Sequence, residues 1–210
     1  MAPITTGTSV LALKFKDGVL LACDTLASYG SLARFPHVQR LRSIGDNTLI
    51  ASSGDFADFQ MLMDFFEQEV LLEQSLEDGY VRSPSEYHQL LTRVLYNKRL
   101  KMQPWWLQCV FVGFHQDKSF LASTDLRGTH FEDDYAATGY GSYLATPLFR
   151  KYWRPDMTLD EAKNLLLECV KVIIARDGRT HSRWQFGMIT AAGTGIDEPT
   201  EIDISWRIAQ

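Results

Sequence analysis

Apolar residues gather in short β-type runs at both ends of the chain and recur at helical spacing in two places between them. The runs at 8–15 (TSVLALKF) and 19–23 (VLLAC), joined through Lys16-Asp17-Gly18, predict an opening hairpin. Segments 40–44 and 48–53, on either side of Gly45-Asp46-Asn47, predict a second, closed by Gly54. From Asp55 the period changes: Phe56, Phe59, Leu62, Met63, Phe66 and Val70 share one helical face, predicting a helix to about Glu73. A second helix starts at Ser83, where Pro84 and Glu86 complete a capping box, and runs to about Leu100, ahead of Pro104. Strands return at 106–114 and 119–125 around Gln116-Asp117-Lys118. Gly139-Tyr140-Gly141 then leads into a short helix, 142–152, and Thr158-Leu159-Asp160-Glu161 caps a helix to about Ala175. Segments 184–190 and 201–206 are the last predicted strands.

Paired strands, two helices, paired strands, two helices and paired strands do not suit a doubly wound parallel sheet, which needs strict alternation. Two antiparallel sheets stacked face to face, with a helix pair on each outer side, bury every apolar face named above. The expectation is one α+β domain layered αββα, with no internal linker, repeat or low-complexity tract.

Composition narrows the class. At 210 residues, with 45% hydrophobic and 22% charged, the chain is too apolar for disorder and too ordinary for a fibre or a disulfide miniprotein. Its net charge of -5 argues against a phosphate-tracking nucleic-acid binder. No secretory signal opens the sequence and no apolar run reaches the roughly 20 residues of a membrane helix, so a soluble protein is expected. Cys23, Cys109 and Cys169 are widely spaced in apolar surroundings, which predicts free structural thiols in a reducing compartment rather than disulfide or zinc chemistry.

Other signals have plain readings. Gly139-x-Gly141 lacks the third glycine of a dinucleotide loop, since Leu144 stands there. His37, His88, His115, His130 and His181 show no metal spacing, so neither cofactor nor metal is expected. Lys98-Arg99-Leu100-Lys101 lies at a predicted helix end, where cations favour the dipole. The aromatic helix bearing Phe56, Phe59, Phe65 and Phe66 suits a core or a subunit interface.

Gly7-Thr8 at the head of a strand, followed by a hairpin ending in Asp24, is more specific. With Thr6-Gly7-Thr8-Ser9-Val10, the segment from Ser28 to Phe35 (SYGSLARF), Ser53-Gly54-Asp55-Phe56-Ala57-Asp58-Phe59-Gln60, Lys101-Met102, Ala137-Thr138-Gly139-Tyr140-Gly141 and Ala175-Arg176-Asp177, the chain resembles the beta subunits of the 20S proteasome, members of the N-terminal-nucleophile hydrolases. The resemblance spans roughly Thr6 to Trp206 and is strongest to the non-catalytic beta-7 position, called beta type-4 in vertebrates. It implies the αββα sandwich, a place in the ring that encloses ATP/ubiquitin-dependent protein degradation, and a setting in cytoplasm and nucleus. The implied partners are beta-6 and beta-1 neighbours, the opposite beta ring and the alpha ring, with no nucleic acid and no membrane. The chain ends soon after the last predicted strand, so a long C-terminal clamp onto the opposite ring is not expected.

In active members of this family the nucleophile is an N-terminal threonine whose own α-amine is the base. Carried onto this chain, the resemblance puts the nucleophile at Thr8, the aspartates at Asp24 and Asp177 and the oxyanion glycine at Gly54. The lysine position falls on Arg40, and the two serine positions fall on Tyr140 and Thr180. Arginine stays protonated at physiological pH, and a tyrosine is bulky where a small hydroxyl belongs. Residues 1–7, an expected extension ahead of the 8–210 domain, keep the Thr8 nitrogen an amide. The sequence therefore predicts a degenerate site and a structural subunit, with Asp24 and Arg40 forming a structural ion pair in the old pocket. The competing readings are an active threonine endopeptidase exposing Thr8, and a free-standing binding protein that a native mass of one chain would reveal.

Overall fold

The computed structural model describes residues 4–205. Its strands are β1 (Thr5–Gly7), β2 (Val10–Phe15), β3 (Gly18–Asp24), β4 (Ala27–Tyr29), β5 (Leu32–Phe35), β6 (Leu41–Ile44), β7 (Thr48–Asp55), β8 (Leu107–His115), β9 (Lys118–Thr124), β10 (His130–Glu132), β11 (Tyr135–Ala137), β12 (Arg183–Thr190), β13 (Gly193–Ile196) and β14 (Thr200–Glu201). The helices are α1 (Phe56–Ser75), α2 (Pro84–Leu100), α3 (Gly141–Leu144), α4 (Thr146–Tyr152) and α5 (Leu159–Arg176).

Two antiparallel sheets form. One runs β10-β9-β8-β7-β1-β4-β5, with β6 beside β1 on the edge of β7 that faces away from β8; the other runs β11-β2-β3-β12-β13, with β14 on β12. Side-chain alternation along each strand sorts the apolar residues into three layers. Val10 and Ala12 of β2, Leu49 and Ala51 of β7, and Val110 and Val112 of β8 meet between the sheets. Leu11, Leu13 and Phe15 point the other way, onto Ala162, Leu166, Cys169 and Ile173 of α5. On the far side, Ile50, Cys109 and Phe111 pack against Phe59, Leu62, Phe66, Leu91 and Leu95 of α1 and α2. Both faces of the central strands are thus buried, which is why VLALKF and GVLLACD read as continuous apolar runs.

The helix starts follow the predicted chemistry. Asp55 caps α1 by accepting from the Ala57 amide, and reciprocal capping boxes open α2 at Ser83 and Glu86 and α5 at Thr158 and Glu161. The β8–β9 turn places Gln116 and Asp117 at φ of 48° and 58°, the geometry of a tight two-residue hairpin. Cys23, Cys109 and Cys169 are free and buried, and burial pushes each thiol up to about 12.

The ends differ from expectation. The strand predicted at 201–206 is only Thr200–Glu201 among the described residues, and Trp206 lies outside them. The partner strand along the outer edge of β12 is instead β13, a GTGI segment whose two glycines hide its strand character. Short β4, β5, β10 and β11 were not predicted either. Three residues ahead of Thr8 are woven into a sheet as β1.

Candidate functional site

The site grows from the junction of the two sheets. Thr8 lies between β1, in the larger sheet, and β2, in the smaller, so its backbone steps from one layer to the other. Its hydroxyl donates to Asp177 Oδ2 at 2.6 Å. Asp177 caps the C-terminus of α5, is 5% exposed, and accepts the Arg179 amide at 2.9 Å on its other oxygen.

Asp24 ends β3 and is fully buried. Its Oδ2 accepts the Thr180 hydroxyl at 2.9 Å, and its Oδ1 accepts from Arg40 Nη2. Arg40, itself 2% exposed, makes the ion pair with Asp24 anticipated from the sequence. It does more than pair. Nη1 donates to the carbonyls of Thr8 (3.1 Å) and Ser52 (2.8 Å), and Nη2 to those of Ser9 (3.4 Å) and Asp24 (3.0 Å). One guanidinium therefore ties the Thr8–Ser9 backbone, β3 and β7 together. Burial raises the Asp24 carboxyl above its ordinary value, opposed first by Arg40 and then by the Thr180 hydroxyl.

Glycines make room for this. A Cβ on Gly7 would stand 2.3 Å from Arg40 Cδ, so the arginine passes only because residue 7 has no side chain. Gly54 has φ +102°, and a Cβ there would meet the Trp106 carbonyl at 2.0 Å.

Thr6, Gly7, Thr8, Gly54, Trp106 and Tyr140 help line an open cleft of about 520 Å³. Tyr140 precedes α3 and is 60% exposed. The structure thus gathers Thr8, Asp24, Arg40, Asp177 and Thr180 into one hydrogen-bonded network, with Gly54 and Tyr140 on the wall of the adjoining cleft. Three further residues hold the frame. Ser9 Oγ accepts the Gly141 amide at 2.8 Å, Thr138 Oγ1 accepts the Val10 amide at 3.0 Å, and Gly7 admits Arg40. Gly7 and Thr138 stand in conspicuous segments, but contacts across 132 residues between Ser9 and Gly141 leave no local signal.

The chemistry open to this arrangement is narrow. The Thr8 nitrogen is a peptide amide and cannot act as a base. Arg40 spends its Nη donors on carbonyls and Asp24. Both edges of the strand ahead of Thr8 are occupied: Gly7 of β1 pairs with Ala27 of β4 on one side and Gly54 of β7 on the other. Among the described residues no cluster of three or more His, Cys, Asp or Glu could hold a metal, and no helix is long and apolar enough to cross a membrane.

Stacked antiparallel sheets with outer helices, and a threonine at the sheet junction bonded to a buried aspartate, define an αββα sandwich of the N-terminal-nucleophile hydrolase type. The proteasome subunit family matches residues 4–189, and the chain belongs to that family. It is similar to the proteasome subunit beta type-4 of Xenopus laevis, 42% identical over 99% of this chain and 86% of that protein. The beta type-4 of Arabidopsis thaliana is 37% identical over 99% and 84%, and the beta type-7 of Saccharomyces cerevisiae 34% over 89% and 74%.

Proposed function

We propose that this chain is a non-catalytic structural beta subunit of the 20S proteasome core particle, at the position called beta type-4 in animals and plants and beta type-7 in yeasts. Its work is architectural: it closes the ring around the degradation chamber and orders its neighbours. In the finer reading those neighbours are beta-6 and beta-1, with the opposite beta ring and the alpha ring as further contacts, in cytoplasm and nucleus. Three buried thiols with no disulfide fit a reducing compartment.

The observation that carries the non-catalytic reading is Arg40. A buried guanidinium bound to the Thr8 and Ser9 carbonyls stands where a proton-exchanging lysine belongs, and it holds the backbone at the threonine itself. In this reading Thr8, Asp24, Gly54, Asp177 and Thr180 are retained as framework, with Tyr140 on the wall of the cleft. Residues 1–7 are an extension kept ahead of the 8–210 domain.

The test treats the native particle with an electrophile that bridges the free amine and hydroxyl of an N-terminal threonine. This chain is expected to stay unlabelled while other beta subunits in the same sample react. Label on Thr8 overturns the reading in favour of an active endopeptidase.

A further inference from the structure

The cleft beside Thr8 carries two cations that nothing described above uses. Arg127 and Arg179 line it together with Trp106, Leu126 and Tyr140. The same local device places each arginine, from distant parts of the chain. In Asp125-Leu126-Arg127, Asp125 Oδ1 accepts the Arg127 amide at 2.8 Å; in Asp177-Gly178-Arg179, Asp177 Oδ1 accepts the Arg179 amide at 2.9 Å. The first turn is tightened further, because Asp125 Oδ1 also accepts the Thr129 amide at 2.9 Å and Gly128 turns the chain at φ +79°. The second is anchored by the Thr8 hydroxyl on Asp177 Oδ2.

The aspartates hold the turns and leave the arginines unpaired. Among the described residues neither Arg127 nor Arg179 makes an ion pair, in a chain whose net charge is -5. Two like charges on one cleft repel, and a bound carboxylate relieves that repulsion while accepting guanidinium N–H donors. The cleft, about 520 Å³, has the size of a small-ligand site, and Trp106 (57% exposed) and Tyr140 give it aromatic surface. The matching ligand joins a carboxylate to an apolar or aromatic group. The last residue of a peptide does so. A nucleoside triphosphate also joins an anion to a ring, but it would bring several negative charges toward Asp125 and Asp177, which already stand beside the arginines.

We propose that this cleft is a non-hydrolytic binding site for the free C-terminal end of a short peptide. Arg127 and Arg179 hold its carboxylate, and its last side chain lies against Trp106 and Tyr140. Proteolysis leaves such carboxylates, so the ligands are products of the other subunits; that source rests on the reading of the chain as a proteasome subunit.

The test irradiates the native particle, its active threonines first blocked, with a short benzophenone-bearing peptide ending in phenylalanine, as the free acid or as the amide. Peptide mass spectrometry is expected to find the acid attached to this chain around residues 106–108, 125–127 or 140, and the amide there about tenfold less. The double variant Arg127→Gln, Arg179→Gln, changed at two exposed side chains, should lose the acid's labelling by a similar factor and keep the amide's. Equal labelling by acid and amide, or no label on a chain present in the particle, overturns the inference and leaves the subunit reading intact. If the chain is absent from the particle, both fall. Label displaced by adenosine triphosphate but not by an unlabelled peptide acid overturns the inference in favour of a nucleotide.

Discussion

Arg40 shows how one buried side chain can tie several backbone segments together. Its guanidinium is enclosed by carbonyls and by Asp24, so truncation leaves a buried carboxylate without its cation. Arg40→Ala should cost about 3–5 kcal/mol in urea unfolding, and pairing it with Asp24→Asn should recover part of that loss. A small loss would mean that the pair is dispensable. His88 is a second buried polar group. Its Nε2 meets Thr124 Oγ1 at 2.6 Å, and its ring lies against Phe111, Phe120 and His130. Burial, and then His130, lower its pKa from 6.5 to about 4. Between those values the unfolded chain binds the proton and the folded chain does not. This contribution to stability is therefore complete above pH 6.5 and is lost as the pH falls toward 4. The fold should be about 2 kcal/mol less stable at pH 5 than at pH 7 on this account, and His88→Gln should flatten that fall. Equal slopes for parent and variant would exclude His88 as the cause.

At the scale of elements, the long helices and central strands were legible because each announces itself locally. Ser83–Glu86 and Thr158–Glu161 are reciprocal caps written within four residues, and the structure uses both. Thr158→Ala should therefore cost about 1 kcal/mol in thermal or urea unfolding; no change would show that Glu161 holds the helix start alone. The short strands were not legible. β5 (LARF) is exposed throughout and β13 (GTGI) is half glycine, so neither carries an alternating apolar pattern; both are strands because a neighbour offers an edge. The same holds for β1, whose pairing on both sides depends on β4 and β7 far along the chain. The site divides in the same way. The positions Thr8, Asp24, Arg40, Asp177 and Thr180 came from the family resemblance, whereas the bracing by Ser9, Thr138 and Gly7 depends on partners that only the fold brings near.

The described residues form a four-layered sandwich, with three apolar cores between its layers and a polar knot at the sheet junction. Large apolar side chains remain outside it, among them Leu71, Leu72 and Leu76 near the end of α1, as suits a chain meant to be covered by neighbours. In an active member the knot would open at a free threonine amine. Here the strand before Thr8 is stitched into the larger sheet and its junction is gripped by Arg40, which makes the segment part of the fold. The most direct measurement of this account is the intact mass of the chain released by denaturation from the native particle. The account predicts a mass that retains residues ahead of Thr8. A mass that begins at Thr8 would contradict it, because it would mean that the bond before the threonine is cut and its amine exposed despite Arg40.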